Sequence, residues 1–272
     1  MKTVLITGGN SGIGKATAEQ LVAQGCQVFI AARDVEKSAH AVADIRRQYP
    51  RAEIEALPLD LADLAGVRRF AEAFRARVPV LDVLILNAGL FPTSKQMTAQ
   101  GFEMQFGVNH LGHFLLTRLL LDTVTAAPGG RIIVISSIMH WLGRMDFNSF
   151  TGQKPYNAVR AYGQSKLANV LFTQELARRL QGTRVTVNAV HPGGVDTGIA
   201  RDLPALAQKI YSLTTITAGK GAETPVYLAT SDAVAGISGK FFSKCKPRRV
   251  SPLATQATAE KLWAVSEELC AG

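Results

Sequence analysis

The chain has 272 residues, 47% of them hydrophobic and 19% charged, a balance that supports a buried core and excludes intrinsic disorder. Lys and Arg number 30 against 21 Asp and Glu, a net charge of +9. The basic residues are scattered, and their densest run, Lys244 to Arg249, is short. A positive potential that attracts phosphorylated ligands is therefore expected, and a nucleic-acid partner is not.

Cys26, Cys245 and Cys270 follow no metal or redox spacing, which predicts free thiols in a reducing compartment and no bound metal. The first apolar run, Val4-Leu5-Ile6, ends at once in Thr7-Gly8-Gly9, so no signal peptide is expected. No stretch approaches the ~20 apolar residues of a membrane span. A cytoplasmic protein is the expectation. With no internal repeat and no Gly-, Ser- or Pro-rich linker, residues 1–272 are read as one domain.

In chain order, strands are predicted at Thr3–Ile6, Gln27–Ala31, Glu53–Pro58, Val83–Leu86, Arg131–Ile135, Arg184–Ala189 and Lys240–Phe242. Between them lie helical patterns at Ile13–Gln24, Val35–Gln48, Leu64–Val78, Gly101–Thr123 and Ala161–Leu180. Val83-Leu84-Ile85-Leu86 and Ile132-Ile133-Val134-Ile135 are apolar without alternation, as strands buried on both faces must be. This α/β alternation predicts a doubly wound parallel sheet of about seven strands with helices on both faces. Ligands of such sheets bind beyond the carboxyl ends of the strands.

Directly after the first strand comes Thr7-Gly8-Gly9-Asn10-Ser11-Gly12-Ile13-Gly14, opening a helix. Glycines at 8, 12 and 14 allow a tight turn, close approach to a pyrophosphate and close helix–strand contact. The helix start offers N–H groups and partial positive charge to phosphates. Gly8, Asn10, Ser11, Gly12, Ile13 and Gly14 are thus predicted to bind a dinucleotide. The second strand runs into Arg33-Asp34. Arg33 suits a ribose 2′-phosphate and so points to NADP(H). Asp34 could face the ribose, but Asp-Val-Glu-Lys reads as a helix start, so a capping role is expected.

Four polar features interrupt apolar sequence near strand ends. These are Asn87-Ala88-Gly89, Asn109, Ser136-Ser137, and Tyr162 with Lys166, which share one helix face. A free tyrosine, pKa ~10, is a poor base at neutral pH. A lysine ammonium one turn away favours phenolate and tunes Tyr162 to exchange a proton with a substrate oxygen. Ser137 is expected to hydrogen-bond that oxygen, and Asn109 to hold a water linking Lys166 to solvent.

These motifs resemble the short-chain dehydrogenase/reductase family, through Thr7–Gly14, Asp60-Leu61, Asn87–Gly89, Asn109, Ser137, Tyr162-Gly-Gln-Ser-Lys166 and His191-Pro-Gly193 through Thr197. The resemblance implies a Rossmann-type fold and a catalytic set of Asn109, Ser137, Tyr162 and Lys166. It also implies that Asp60, beside Leu61, contacts adenine, that Asn87, Ala88 and Gly89 line the adenosine side, and that Pro192, Val195 and Thr197 border the nicotinamide. Gly101–Thr117, Tyr162–Leu180 and Ala32–Lys37 look like the retinol dehydrogenase branch, and Ala32–Lys37 there accompanies NADP preference. The 162 − 137 = 25-residue spacing of Ser137 and Tyr162 suits it too, whereas the stretch from Ala200 onward matches less well.

The substrate pocket is expected to draw on His140, Trp141, Leu142, Met145, Phe147 and Phe150, with His140 structural rather than catalytic. A lid around 198–218 is expected to add Leu203, Leu206, Ile210 and Tyr211. An apolar lining predicts a small apolar alcohol or carbonyl substrate. A homodimer or homotetramer paired through the helices at Gly101–Thr123 and Ala161–Leu180 fits the family. The alternative to an enzyme is a nonenzymatic dinucleotide-sensing or interaction protein on the same fold, against which the Asn109, Ser137, Tyr162 and Lys166 set argues.

Overall fold

Every residue of the strand Val83–Leu86 is buried, and its neighbours divide between two cores with a period of two. Leu84 and Leu86 join Leu5, Phe29, Ile132 and Val134 on one face. Val83 and Ile85 join Val4, Ile6, Val28, Ile30, Ile133 and Ile135 on the other. Alternate side chains of a strand point to opposite faces, so a run without polar breaks needs cover on both sides. Helices supply that cover.

The computed structural model describes residues 1–152, 155–193 and 217–271. The elements begin β1 Thr3–Thr7, α1 Gly12–Ala23, β2 Gln27–Ala32, α2 Val35–Gln48, β3 Ile54–Pro58, α3 Leu64–Arg77 and β4 Val83–Leu86. A short α4 at Met104–Phe106 passes through a π turn, Gly107–Leu111, into α5 Gly112–Thr125. Then come β5 Arg131–Ile135, a 3-10 turn at Ile138–Trp141, α6 Ala158–Arg179 and β6 Thr186–His191. The chain closes with α7 Ala218–Thr230, β7 Phe241–Ser243, β8 Lys246–Arg248 and α8 Gln256–Ala271.

Among the described residues the sheet has eight strands in the order β3-β2-β1-β4-β5-β6-β7-β8. All pairings are parallel except β7 with β8. The order reverses at β1 and β4, and this opens a crevice at their carboxyl ends. β8 is the one strand beyond the expected seven. It turns back through Lys244 and Cys245, both at positive φ (52° and 57°), and exposes all three of its residues. Lys246, Pro247 and Arg248 carry no apolar signal, and such residues protect a sheet edge from further pairing.

Two expected boundaries move in a way that matters for the site. The single helix expected over Gly101–Thr123 is interrupted by the π turn around Asn109. The next helix starts at Ala158 rather than Ala161, because Asn157 caps it by accepting the Arg160 N–H at 2.9 Å. The lid residues Leu203, Leu206, Ile210 and Tyr211, and the expected cofactor contacts Val195 and Thr197, lie outside the described residues. No helix among the described residues is long and apolar enough to cross a membrane.

Candidate active site

A cleft of about 820 Å³ runs along the carboxyl edge of the sheet. Gly8, Asn10, Ser11, Gly12, Ile13, Gly14, Arg33, Asp60, Leu61, Asn87, Ala88, Gly89, Ser137, Tyr162, Lys166 and Pro192 all line it. Sequence elements up to 184 positions apart thus share one wall (192 − 8). Asn109 does not.

At the loop after β1, Gly8 and Gly12 take φ of +65° and +51°, a region side chains disfavour. A Cβ on Gly14 would collide with the Gly8 carbonyl and the Asn87 amide. That amide donates from Nδ2 to the carbonyls of Thr7 (2.8 Å) and Gly8 (3.2 Å), pinning the loop to the end of β4. Asp34 caps α2 through the Lys37 N–H, and Asp63 caps α3 through the Ala65 N–H. Ser11, at the same position of α1, makes no capping bond. The first N–H groups of α1 therefore face the cleft uncapped by side chain, the arrangement that receives a phosphate. The loop fits a pyrophosphate.

Asp34 has the expected capping role, with Oδ1 accepting the Lys37 N–H at 2.9 Å. Arg33 stays exposed beside it, and Lys37 adds a second cation to that end of the cleft. Asn10 fastens the loop to α2 by donating to Ser38 Oγ at 3.1 Å. Asp60 accepts the Ala62 N–H at 2.9 Å and still borders the cleft.

At the other end, Tyr162 and Lys166 project from one face of α6. Lys166 is 3% exposed, donates to the Ile135 carbonyl at 3.2 Å, and sets Nζ 5.4 Å from the centre of the Tyr162 ring. Burial alone lowers its pKa to about 8. Ser136 ties α6 to β5 by donating to the Lys166 carbonyl at 2.8 Å. Ser137 caps the 3-10 turn, its Oγ accepting the Met139 N–H at 3.2 Å. Arg33 follows β2 and Ser137 follows β5, three strands apart. At a strand spacing of ~4.8 Å that is ~14 Å, a separation an extended dinucleotide spans.

Asn109 stands behind the cleft wall, with its side chain engaged by protein. Its side chain is fully buried, accepts the Leu90 N–H at 2.9 Å, and donates to Leu90 O (3.1 Å) and Ser165 Oγ (3.0 Å). Both amide hydrogens are engaged by protein. Asn109 holds the loop after β4 instead of reaching the cleft, and only Gly89 separates it from Lys166, a Cβ there lying 3.4 Å from Asn109 Oδ1 and 3.5 Å from Lys166 Nζ.

The expected substrate lining also changes. Met145, Phe147 and Phe150 pack into the core, with Phe150 stacked on Phe106 at 3.7 Å. His140 is buried, its Nδ1 2.7 Å from the Ser137 carbonyl and its ring 4.6 Å from that of Phe241, so it is structural as expected. Trp141 and Leu142 are exposed and outside the cleft. The apolar lining comes from Leu90, Phe91, Ile138, Met139 and Val159. Phe91 meets the Tyr162 ring edge-on at 5.2 Å. Their signal was adjacency: four of the five directly follow the Asn87–Gly89 and Ser136–Ser137 motifs.

The family model for short chain dehydrogenase matches residues 2–207. The chain belongs to the short-chain dehydrogenase family. Among relatives of this short-chain dehydrogenase, retinol dehydrogenase 12 of Homo sapiens is 46% identical over 271 residues, covering 98% of this chain and 86% of that protein. Retinol dehydrogenase 14 of Homo sapiens is 44% identical over 286 residues, covering 98% and 85%. These place it in the retinol dehydrogenase-like branch. Among solved structures, an uncharacterized protein from Mycobacterium paratuberculosis is 37% identical with a TM-score of 0.82, covering 99% of this chain and 93% of that one. The Pseudomonas aeruginosa RhlG/NADP active-site complex is 26% identical with a TM-score of 0.73, covering 93% and 96%. The short-chain dehydrogenase is an oxidoreductase, and its family binds a nicotinamide dinucleotide.

Proposed function

We propose that this dehydrogenase interconverts an alcohol and an aldehyde or ketone on a small apolar substrate, with NADP(H) as its hydride carrier. The observation that carries the reading is the buried Lys166 against Tyr162 at one end of a cleft whose other end is Arg33. Arg33 and Lys37 would hold the 2′-phosphate, the loop Gly8–Gly14 the pyrophosphate, and Asp60 and Asn87–Gly89 the adenosine. Asp34 engages Oδ1 in the α2 cap, while two cations, Arg33 and Lys37, line the same end of the cleft, which favours a 2′-phosphate there. The NADP in the Pseudomonas aeruginosa neighbour supports the same choice.

Bound there, the nicotinamide supplies or accepts the hydride. Tyr162 exchanges the proton at the substrate oxygen, and the Lys166 ammonium stabilises negative charge developing on the phenol. Ser137 donates a hydrogen bond to the same substrate oxygen. Leu90, Phe91, Ile138, Met139 and Val159 exclude water and select apolar substrates. Retinoid-like carbonyls are the first class to try, because the relatives named above are retinol dehydrogenases.

The test is NADPH oxidation against a panel of aldehydes and ketones that includes retinal and simple aromatic compounds. Turnover of apolar members, faster with NADPH than with NADH, is expected. NADPH binding without turnover of any member would instead support the nonenzymatic alternative.

A further inference from the structure

His113 lies on α5, 2% exposed and outside the cleft lining, yet its two ring nitrogens meet both halves of the site. Nε2 is 2.8 Å from Thr7 Oγ1, and Nδ1 is 3.2 Å from the Asn109 carbonyl. The Thr7 hydroxyl decides which nitrogen carries the hydrogen. Its oxygen accepts the N–H of Asn87 at 2.8 Å and that of Ala88 at 3.0 Å, which uses both lone pairs of a hydroxyl. Its own hydrogen must be donated. The acceptors in reach are His113 Nε2 at 2.8 Å and the Ile85 carbonyl at 3.5 Å, and the second is too long to compete. Nε2 is therefore the bare nitrogen, and Nδ1–H donates to Asn109. Burial keeps the ring neutral by lowering its pKa to about 4.

We propose that His113, fixed as the Nδ1–H tautomer, is a positioning residue that sets the phosphate loop and the Tyr162 end of the cleft relative to each other. On the loop side, Thr7 receives the Asn87 and Ala88 N–H groups, and Asn87 holds the Gly8 carbonyl. On the other side, Asn109 clamps both backbone groups of Leu90, whose neighbour Phe91 rests on the Tyr162 ring. One imidazole joins the two clamps. A hydroxyl whose bonds are all specified permits only one tautomer, so the link has direction as well as length. The functional part of this inference rests on the proposed reading of the cleft, whereas the tautomer does not.

Two measurements test it. In wild-type protein with nitrogen-15-labelled histidine, two-bond proton–nitrogen correlations report the tautomer of each ring, and the His113 signals are those missing from a His113→Gln spectrum. The Nδ1–H pattern is expected. An Nε2–H pattern would overturn the proposal. The second measurement compares three variants by NADPH fluorescence titration and by steady-state kinetics. His113→Gln places an amide near Nε2 and keeps the Thr7 bond, His113→Asn places one near Nδ1 and keeps the Asn109 bond, and His113→Leu keeps neither.

His113→Leu is expected to lose about tenfold in both NADPH affinity and kcat, the scale of a buried group left unpaired. Gln should recover affinity more than kcat, and Asn kcat more than affinity. Identical behaviour of Gln and Asn, or a folded Leu variant with both parameters unchanged, would overturn the proposal. Should the Leu variant not fold, the Gln–Asn split and the wild-type spectrum still decide. If the wild type turns over nothing, the proposed function fails, while the tautomer and the affinity effects of Gln and Leu still test the link.

Discussion

Lys166 sits under Tyr162 with Nζ 5.4 Å from the ring centre, held there by the Ile135 carbonyl at 3.2 Å. This pairing sets the ammonium against the Tyr162 ring in the wall of the cleft. Tyr162→Phe keeps the ring, its edge contact with Phe91 and its packing over Lys166, and deletes only the hydroxyl. A fall in kcat of about 10²–10⁴-fold is expected, the range general acid–base groups contribute, with NADPH affinity near the wild-type value. Undiminished turnover in stopped-flow NADPH oxidation would remove Tyr162 from the chemistry.

The same burial predicts an alkaline limit. Lys166 titrates at about 8 instead of the usual 10.5, so its charge disappears as pH rises through about 8. Because kcat/KM reports groups of the free enzyme, carbonyl reduction should decline above that pH, approaching about tenfold per unit. Stability moves the other way. Between about 8 and 10.5 the unfolded chain holds a proton on this lysine that the folded one has lost, so folding becomes more favourable as pH rises across that window. Lys166→Arg, charged throughout, should abolish the limit whatever its absolute rate. A wild-type profile flat to pH 10 would show that Lys166 keeps its charge or that the charge is not needed.

Arg33 tests the cofactor choice separately. It is exposed, beside Lys37, at the end of the cleft away from Tyr162. Arg33→Ala should weaken NADPH by about 10–100-fold, the loss of charged hydrogen bonds to a phosphate, and leave NADH almost unchanged. Isothermal titration with both cofactors separates these outcomes. Equal losses would assign Arg33 to a part of the dinucleotide that the two share.

Most of the site was legible because its chemistry sits where the pattern has little freedom. Gly8, Gly12 and Gly14 must follow a strand and open a helix, and a four-residue spacing on a helix leaves Tyr162 and Lys166 one face to share. The direction of the Asn109 side chain was not legible, because an added π turn changes which way a helical side chain points while scarcely altering the apolar pattern around it. Met145, Phe147 and Phe150 misled for a different reason. Apolar residues in an insertion look alike whether they fill a core or line a pocket, and only their contacts with Phe106 and its neighbours separate the two. β8 left no trace, since a fully exposed edge strand of Lys, Pro and Arg has no apolar face to detect.

The buried histidines predict sensitivity to acid. Burial lowers His110 to about 3, and lowers both His113 and His191 to about 4, His191 with help from His140. In the unfolded chain each takes up its proton near pH 6.5. The stabilisation is therefore complete above about 6.5 and is lost as pH falls toward 4, because the unfolded state binds protons that the folded state refuses. Each fully buried ring contributes at most about 1.4 kcal/mol per pH unit over that window, and His191, at the cleft edge, contributes less. His110 is the ring to remove. It lies against Phe106, Phe114 and Phe172 and bonds Ser266 Oγ at 2.9 Å through Nε2. His110→Phe extends that aromatic cluster and deletes one proton-uptake site. Urea unfolding from pH 7 to 4.5 should show stability falling with pH in the wild type and a slope lower by up to about 1.4 kcal/mol per unit in the variant. Equal slopes would mean that His110 is already protonated in the native protein, or that the denatured state shields it equally well.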